Sequence, residues 1–383
     1  MKKNLVIFCH QNFITKNDWK ILEIERYKKI ADVIIFEFGK IINPDFEKVF
    51  KNRKKDEVIK RIDNIETWKI KLNKAVNKNY KKRLIINSVK PRKRNSLIIL
   101  KELSKLNIPI LELENFHLPY NENFKNSFAD IIIKLLSLQY LSIIIKSKFY
   151  NFCARELKFK NQYILVNGEK NKINYKNKKV LPGLVREYDL ALNEDLKIIK
   201  KKYILFIENE SPKSRGDSNF FPGIFSANDD FYDKLTNFFN YVENKFKCKI
   251  IISAHPKSNH LSHPSYFGGR QVIKNRTNSL VRNAKLILTQ PSMAISYVIF
   301  HKKPSLIIFS KCNTKSKYFM NQINNVKNFI GINSINFENE DEWQMINKHI
   351  KLEKKKIIRY EHNYLCPKNK KEGNFLKIRK LFL

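Results

Sequence analysis

Short apolar runs recur along the chain, bounded by turn residues and separated by stretches with helical spacing. Leu5 to His10 is the first expected strand, and Asn17-Asp18 caps a helix running to about Ile30. Asp32 to Phe38, closed by Gly39, is a second strand. A Lys/Glu-rich helical region follows over roughly Asp45 to Tyr80. Leu84 to Val89 and Ile108 to Leu113 are strands flanking a helix over Ser96 to Leu106. Asn126 to Lys146 is helical, and Tyr163 to Val166 is a further short strand. Such alternation reads as parallel strands of an α/β sheet.

Lys170 to Pro182 is polar and lacks periodicity, which predicts an irregular crossing near a domain boundary. The pattern restarts at Tyr203 to Ile207. Asp229 to Phe246 forms an amphipathic helix carrying Phe231, Tyr232, Phe238, Phe239 and Tyr241. Three apolar runs follow: Ile250 to Ser253, ending in Ala254-His255-Pro256-Lys257; Leu286 to Thr289, ending in Gln290-Pro291-Ser292; and Ser305 to Phe309, after Lys303-Pro304. Arg270 to Lys274 is a short strand after Gly268-Gly269. Glu340 to Leu383 is helical in part, then basic. Two successive alternating halves predict two Rossmann-like domains facing each other across a cleft. The expected limits are 1–195 and 196–345, with a basic helical tail over 346–383.

Ligands of such sheets bind beyond the carboxyl ends of the strands, where His255 and Ser292 both fall. Pro256 biases His255 away from the helical region. There an imidazole can donate a hydrogen bond or a proton to a departing phosphate, although a lone histidine is often structural. Serine at a helix start caps backbone amides, and the same amides make an anion site. Glu208 and Asp217, after the strand that opens the second half, are candidate general bases; a solvated acidic loop is the alternative. His255, His260 and His263 lack a cysteine or carboxylate partner at useful spacing, so no metal is expected. No glycine-rich phosphate loop is present, and no cofactor is expected.

The formal net charge of +39 points either to an anionic partner or to the codon usage of an AT-rich genome, since Lys, Asn and Ile abound and Gly numbers 9. A positive surface suits nucleotide sugars and an anionic membrane alike. No nucleic-acid-binding motif accompanies the basic runs, so no specific nucleic acid is expected. Five cysteines without a CxxC pair predict reduced thiols and a cytoplasmic setting. The apolar run Leu5 to Cys9 is too short for a signal peptide. Ile131 to Ile145, with Lys134 and Gln139, falls short of a membrane span. A buried helix is expected there, an interfacial one being the alternative.

Phe231-Tyr232-Asp233, Phe238-Phe239, Glu243 and Ile251-Ile252-Ser253-Ala254-His255-Pro256-Lys257 together resemble bacterial surface-polysaccharide glycosyltransferases of the GT-B type. So do Gly269-Arg270, Thr277, Leu280-Val281, Ala284 to Thr289, Ser292 to Ser296 and Lys303-Pro304. The His-Pro pair with the later serine motif is similar to that of sialyltransferases and Kdo transferases that use CMP-activated sugars. The resemblance implies a GT-B fold whose tail packs back on the N-terminal domain. It makes His255 a phosphate contact or an acid toward departing CMP. Ser292 and Ser296, with Arg270, Lys257 and Thr289, would bind the donor phosphate. Glu208 or Asp217 would be the base. In those enzymes, however, the base lies in the N-terminal domain or a distinct motif, which turns attention to His10 on the acceptor side. The implied reaction is metal-independent transfer from a nucleotide sugar to a surface glycan (lipopolysaccharide or capsule) or a lipid-linked acceptor. The implied setting is the cytoplasm or the inner face of the bacterial inner membrane. Polyol-phosphate transferases of cell-wall polymers share the arrangement, and a non-catalytic basic binder of nucleic acid or membrane is the alternative of another class.

Overall fold

Apolar runs buried on both sides form the centres of two parallel sheets. The first sheet comprises β1 (Asn4–His10), β2 (Ala31–Glu37), β3 (Ile59–Arg61), β4 (Arg83–Asn87), β5 (Ile110–Leu113), β6 (Gln162–Asn167) and β7 (Lys179–Gly183), ordered β3-β2-β1-β4-β5-β6-β7. The second comprises β8 (Ile204–Ile207), β9 (Ile250–Ala254), β10 (Val272–Lys274), β11 (Leu286–Thr289), β12 (Ser305–Phe309) and β13 (Ser334–Asn336), ordered β10-β9-β8-β11-β12-β13. This computed structural model describes residues 2–44, 53–113, 138–169, 178–193, 202–209, 230–256, 258, 260–262, 264–314, 317–350, 353–368 and 372–383. The two Rossmann-like sheets expected from the sequence are therefore observed.

Side chains alternate across each central strand, as the two-residue period of a strand requires. Leu5, Ile7 and Cys9 enter one core cluster of the first sheet, and Val6 and Phe8 enter the other. In β8, Ile204 and Phe206 pack to one face and Leu205 and Ile207 to the opposite one. Strand order reverses beside β1 and beside β8, so each sheet has a switch point where two neighbouring connections leave in opposite directions.

The helices that concern the site and its supports are α1 (Lys16–Ile21), α2 (Ile24–Lys28), α3 (Ile65–Val76), α4 (Arg94–Ser104), α5 (Leu138–Arg155), α6 (Arg186–Asn193), α7 (Phe231–Phe246), α8 (Thr277–Asn283), α9 (Ile295–Phe300), α10 (Lys317–Ile330), α11 (Lys354–Tyr360) and α12 (Asn374–Phe382). Thr15 and Asp18 form a reciprocal capping box at α1, in which the Thr15 hydroxyl accepts from the Asp18 N–H. The apolar face of α12 puts Phe375, Ile378 and Phe382 among Val6, Phe8 and Tyr27 of the first sheet's core. Asn374 donates to and accepts from the Leu184 backbone, and its own N–H donates to Asp189 Oδ1 at 3.0 Å. The halves also meet directly: Val185, just before α6, shares a core with Ile295 and Ile299 of α9, and Tyr188 meets Phe300 edge to face.

Four local expectations change. The helix expected up to Ile30 is broken at Glu23, which adopts φ 52. β3 lies inside the expected helical region Asp45 to Tyr80, leaving α3 as its helix. β7 occupies part of the expected irregular stretch Lys170 to Pro182. It tolerates Pro182 because it is an edge strand with a neighbour on one side only. The first helix-forming part of Asn126 to Lys146 lies outside the described residues, and α5 extends on to Arg155.

Candidate functional site

At the second sheet's switch point, β8 and β11 end side by side. Asn209, one residue past Glu208, donates its N–H to Gln290 Oε1 at 2.9 Å and its Nδ2 to the Pro291 carbonyl at 2.8 Å. Gln290 is itself buried. These bonds clamp the carboxyl ends of the two strands. Ser292 follows on the rim, half-buried, and its hydroxyl accepts from the Ala294 N–H at 3.1 Å. It therefore caps the turn that precedes α9 rather than α9 itself, which begins at Ile295.

His255 directly follows the neighbouring strand β9 and is also half-buried. Its backbone N–H donates to Glu208 Oε2 at 2.8 Å. The other carboxylate oxygen faces His260 Nε2 at 3.6 Å, beyond hydrogen-bond range yet close enough for an ion pair. Glu208 is 2% exposed and His260 is equally buried. Burial would raise the Glu208 carboxyl, but the His260 imidazole and the His255 N–H outweigh it and hold the group below its ordinary value. Lys274 reaches in from β10 and donates to the Ser258 carbonyl at 2.6 Å. Glu208 thus anchors the loop that carries His255. A carboxylate directly after a fully apolar strand is the sequence signal for this role, since a buried charge needs partners.

The remaining donor-side residues do not converge there. Thr289 is 0% exposed, and its hydroxyl donates to the Gln290 carbonyl. Ser296 is buried within α9. Arg270 lies at the amino end of β10, the opposite edge of the sheet. Its guanidinium pairs with Glu243 Oε2 at 2.8 Å and with Asn240 of α7, and lies over the Phe239 ring. Glu243 in turn accepts from the Ile250 N–H, so Arg270 fastens α7 to the base of β9. Lys257 and Asp217 lie outside the described residues.

The first sheet offers a counterpart. His10 ends β1 beside its own switch point, where Ser88 and Gln11 tie β1 to the segment after β4: Gln11 N–H donates to Ser88 Oγ, and Gln11 Oε1 accepts from Lys90 N–H. Glu37, buried at the end of β2, accepts from the Ile14 N–H at 2.7 Å and so orders the loop after His10. Both ring nitrogens of His10 are shielded from solvent and find no hydrogen-bond partner among the described residues. Burial lowers the His10 pKa, against the opposing pull of the Asp18 carboxylate. A neutral imidazole of this kind can accept a proton. Arg186, at the start of α6 and half exposed, pairs with the buried Glu187 carboxylate at 2.5 Å.

No protein-family model matches the chain, and no curated protein matches it. Among solved structures it is similar to a variant of the wall teichoic acid polymerase TagF, at 13% identity and a TM-score of 0.53, over 99% of this chain and 88% of that one. It is similar to the UDP-GlcNAc 2-epimerase of Methanocaldococcus jannaschii, at 13% identity and a TM-score of 0.51, over 99% of both chains. It is also similar to the glycotransferase of kitacinnamycin, at 12% identity and a TM-score of 0.50, over 94% of this chain and 95% of that one. Likenesses at this identity concern the fold, and the fold is of the GT-B type.

Proposed function

We propose that this protein is a glycosyltransferase that moves a sugar from a nucleotide-activated donor to a hydroxyl of a surface glycan or lipid-linked acceptor. The observation that carries the reading is His10, half-buried at the carboxyl end of β1: its ring nitrogens are shielded from solvent, burial lowers its pKa, and neither nitrogen has a hydrogen-bond partner among the described residues. A protein gains nothing in stability from such a group, because unpaired buried polar atoms cost free energy. A proton-accepting role explains it.

In this reading the nucleotide sits at the clamped switch point of the second sheet, with its phosphate toward His255 and the Ser292 turn. His10 takes the proton of the acceptor hydroxyl as its oxygen bonds to the anomeric carbon. The bond from that carbon to the phosphate oxygen breaks, and the phosphate leaves with the electron pair. His255 stabilises the charge that develops there. Glu208 holds the His255 loop and is replaced as base by His10. A cytidine monophosphate leaving group, from a CMP-linked sugar, is the preferred donor on the strength of the His255-Pro256 pair and the later serine. The wall teichoic acid polymerase among the structural neighbours supports a second reading, transfer of a polyol phosphate on the same frame.

The test is nucleotide release from CMP-sugar, CDP-polyol and UDP-sugar donors, with and without acceptor glycans. His10→Gln should lower turnover by about 10²–10⁴-fold, the usual contribution of a general base, and leave nucleotide affinity unchanged. Turnover of CDP-polyol alone would transfer the proposal to the second reading. Full activity of His10→Gln would end the assignment of the base.

A further inference from the structure

α5 buries one side and displays the other. Ala154, near its end, and Leu157 and Phe159, just beyond it, pack against the first sheet's core, and the helix rests on α4. With 100° between successive residues, Ile145, Phe149 and Phe152 lie within one narrow arc opposite Ala154. These three are 62%, 59% and 63% exposed. A buried helix is the expectation for the apolar segment ending at Ile145; over 145–152 these three side chains are exposed. One exposed aromatic is ordinary, but three large apolar side chains aligned on two turns form a patch that marks an interaction surface.

Charge selects the partner. Lys146, Lys148 and Arg155 are exposed around the stripe, and α5 contains neither Asp nor Glu. Exposed Lys158 and Lys160 follow in the connection to β6. Among the described residues no helix is long and apolar enough to cross a membrane. An apolar stripe edged by cations has the chemistry of a helix lying in the plane of an anionic bilayer surface. We propose that the Ile145, Phe149 and Phe152 face of α5 docks the protein on an anionic lipid bilayer, with the phenyl rings in the headgroup boundary and the lysines on the lipid phosphates. The proposal stands independently of the reaction assigned to the site.

The experiment is vesicle sedimentation with the full chain, on phosphatidylcholine vesicles and on vesicles that also contain phosphatidylglycerol. The net charge of +39 would favour anionic vesicles wherever it resided, so the decisive variant leaves charge untouched. Phe149→Ser combined with Phe152→Ser should weaken partitioning onto phosphatidylglycerol vesicles by about tenfold or more, with an unchanged unfolding midpoint because both rings are exposed. Lys146→Glu with Lys148→Glu should weaken it further at low salt than at high salt. Equal partitioning of wild type and the double Phe variant overturns the proposal, as does equal binding to both vesicle types. A lipid-free dimer that the double Phe variant dissociates would also overturn it, since a second copy of the chain would then cover the face.

Discussion

Replacing Glu208 separates anchoring from catalysis. Glu208→Gln keeps the shape and an acceptor for the His255 N–H, but removes the charge. A hydrogen bond to a charged acceptor is worth about 1.5–3 kcal/mol net and a neutral one about 0.5–1.5 kcal/mol, so the exchange costs about 1–2 kcal/mol. Loss of the carboxylate's 3.6 Å contact with the His260 imidazole brings the total to roughly 2 kcal/mol, since both side chains are almost fully buried. For a unit of 150–250 residues that lowers the unfolding midpoint by about 4–8 °C. Glu208→Ala leaves the imidazole and the His255 amide facing a void and should cost about 3–5 kcal/mol. The Glu208 carboxyl is held below its ordinary value, so its contribution is present above the unfolded value of about 4.3 and is lost as pH falls through the folded value. The stability gap between wild type and Glu208→Gln should therefore be full at neutral pH and close in acid. Calorimetric scans across this range measure the gap, and donor turnover in parallel measures the chemistry. An anchoring role predicts a smaller loss of turnover than the ~10²–10⁴-fold of a missing base. An unchanged midpoint, intact nucleotide binding and abolished transfer would refute the reasoning and return Glu208 to the role of base.

Arg270→Ala should destabilise the second sheet by roughly 1–3 kcal/mol, because it removes the partner of half-buried Glu243, and leave nucleotide affinity untouched; denaturant titration beside a binding isotherm checks both halves. Asp189 clasps the tail through the Asn374 N–H, and burial together with the Glu23 charge raises its pKa to about 7. A raised carboxyl favours folding below its unfolded value of about 3.9, and that contribution is lost as pH rises through the folded value. Asp189→Asn should thus stabilise the protein at pH above about 7 by roughly 2–4 kcal/mol, at ~1.4 kcal/mol per pKa unit, and give no such gain near pH 4. A gain independent of pH would contradict it. Ser292→Ala removes the cap on the turn before α9; about 1 kcal/mol is expected, read as roughly fivefold weaker nucleotide binding. Unaltered affinity would take Ser292 out of the site.

Central strands were legible because burial on both faces writes them as continuous apolar runs: Leu5 to Cys9, Ile204 to Ile207 and Leu286 to Thr289 all form strands where the pattern put them. Edge strands were legible unevenly: β10 falls within the expected Arg270 to Lys274, whereas the two edges of the first sheet were missed. β3 reads Ile-Lys-Arg and β7 contains Pro182, features that suit an edge and disguise a strand. The carboxyl ends of β8, β9 and β11 were equally legible, which is why Glu208 and His255 meet there and Ser292 follows the end of the adjoining strand. Arg270 shares their neighbourhood in sequence, yet it precedes a parallel strand and so lies at the far edge. Thr289 and Ser296 depend on side-chain direction, which the two-residue and 3.6-residue periods settle only once register is known. The Asn209–Gln290 clamp and the shielding of the His10 ring nitrogens arise from packing between segments distant in sequence, and no local pattern encodes them.

The most direct measurement is a crystal structure of the protein with CMP or a non-hydrolysable cytidine donor. The proposed site predicts the phosphate within about 3.2 Å of the His255 side chain or of the Ser292 turn, with the sugar side open toward His10. A nucleotide bound away from the carboxyl ends of β8, β9 and β11, with no contact to either group, would contradict it.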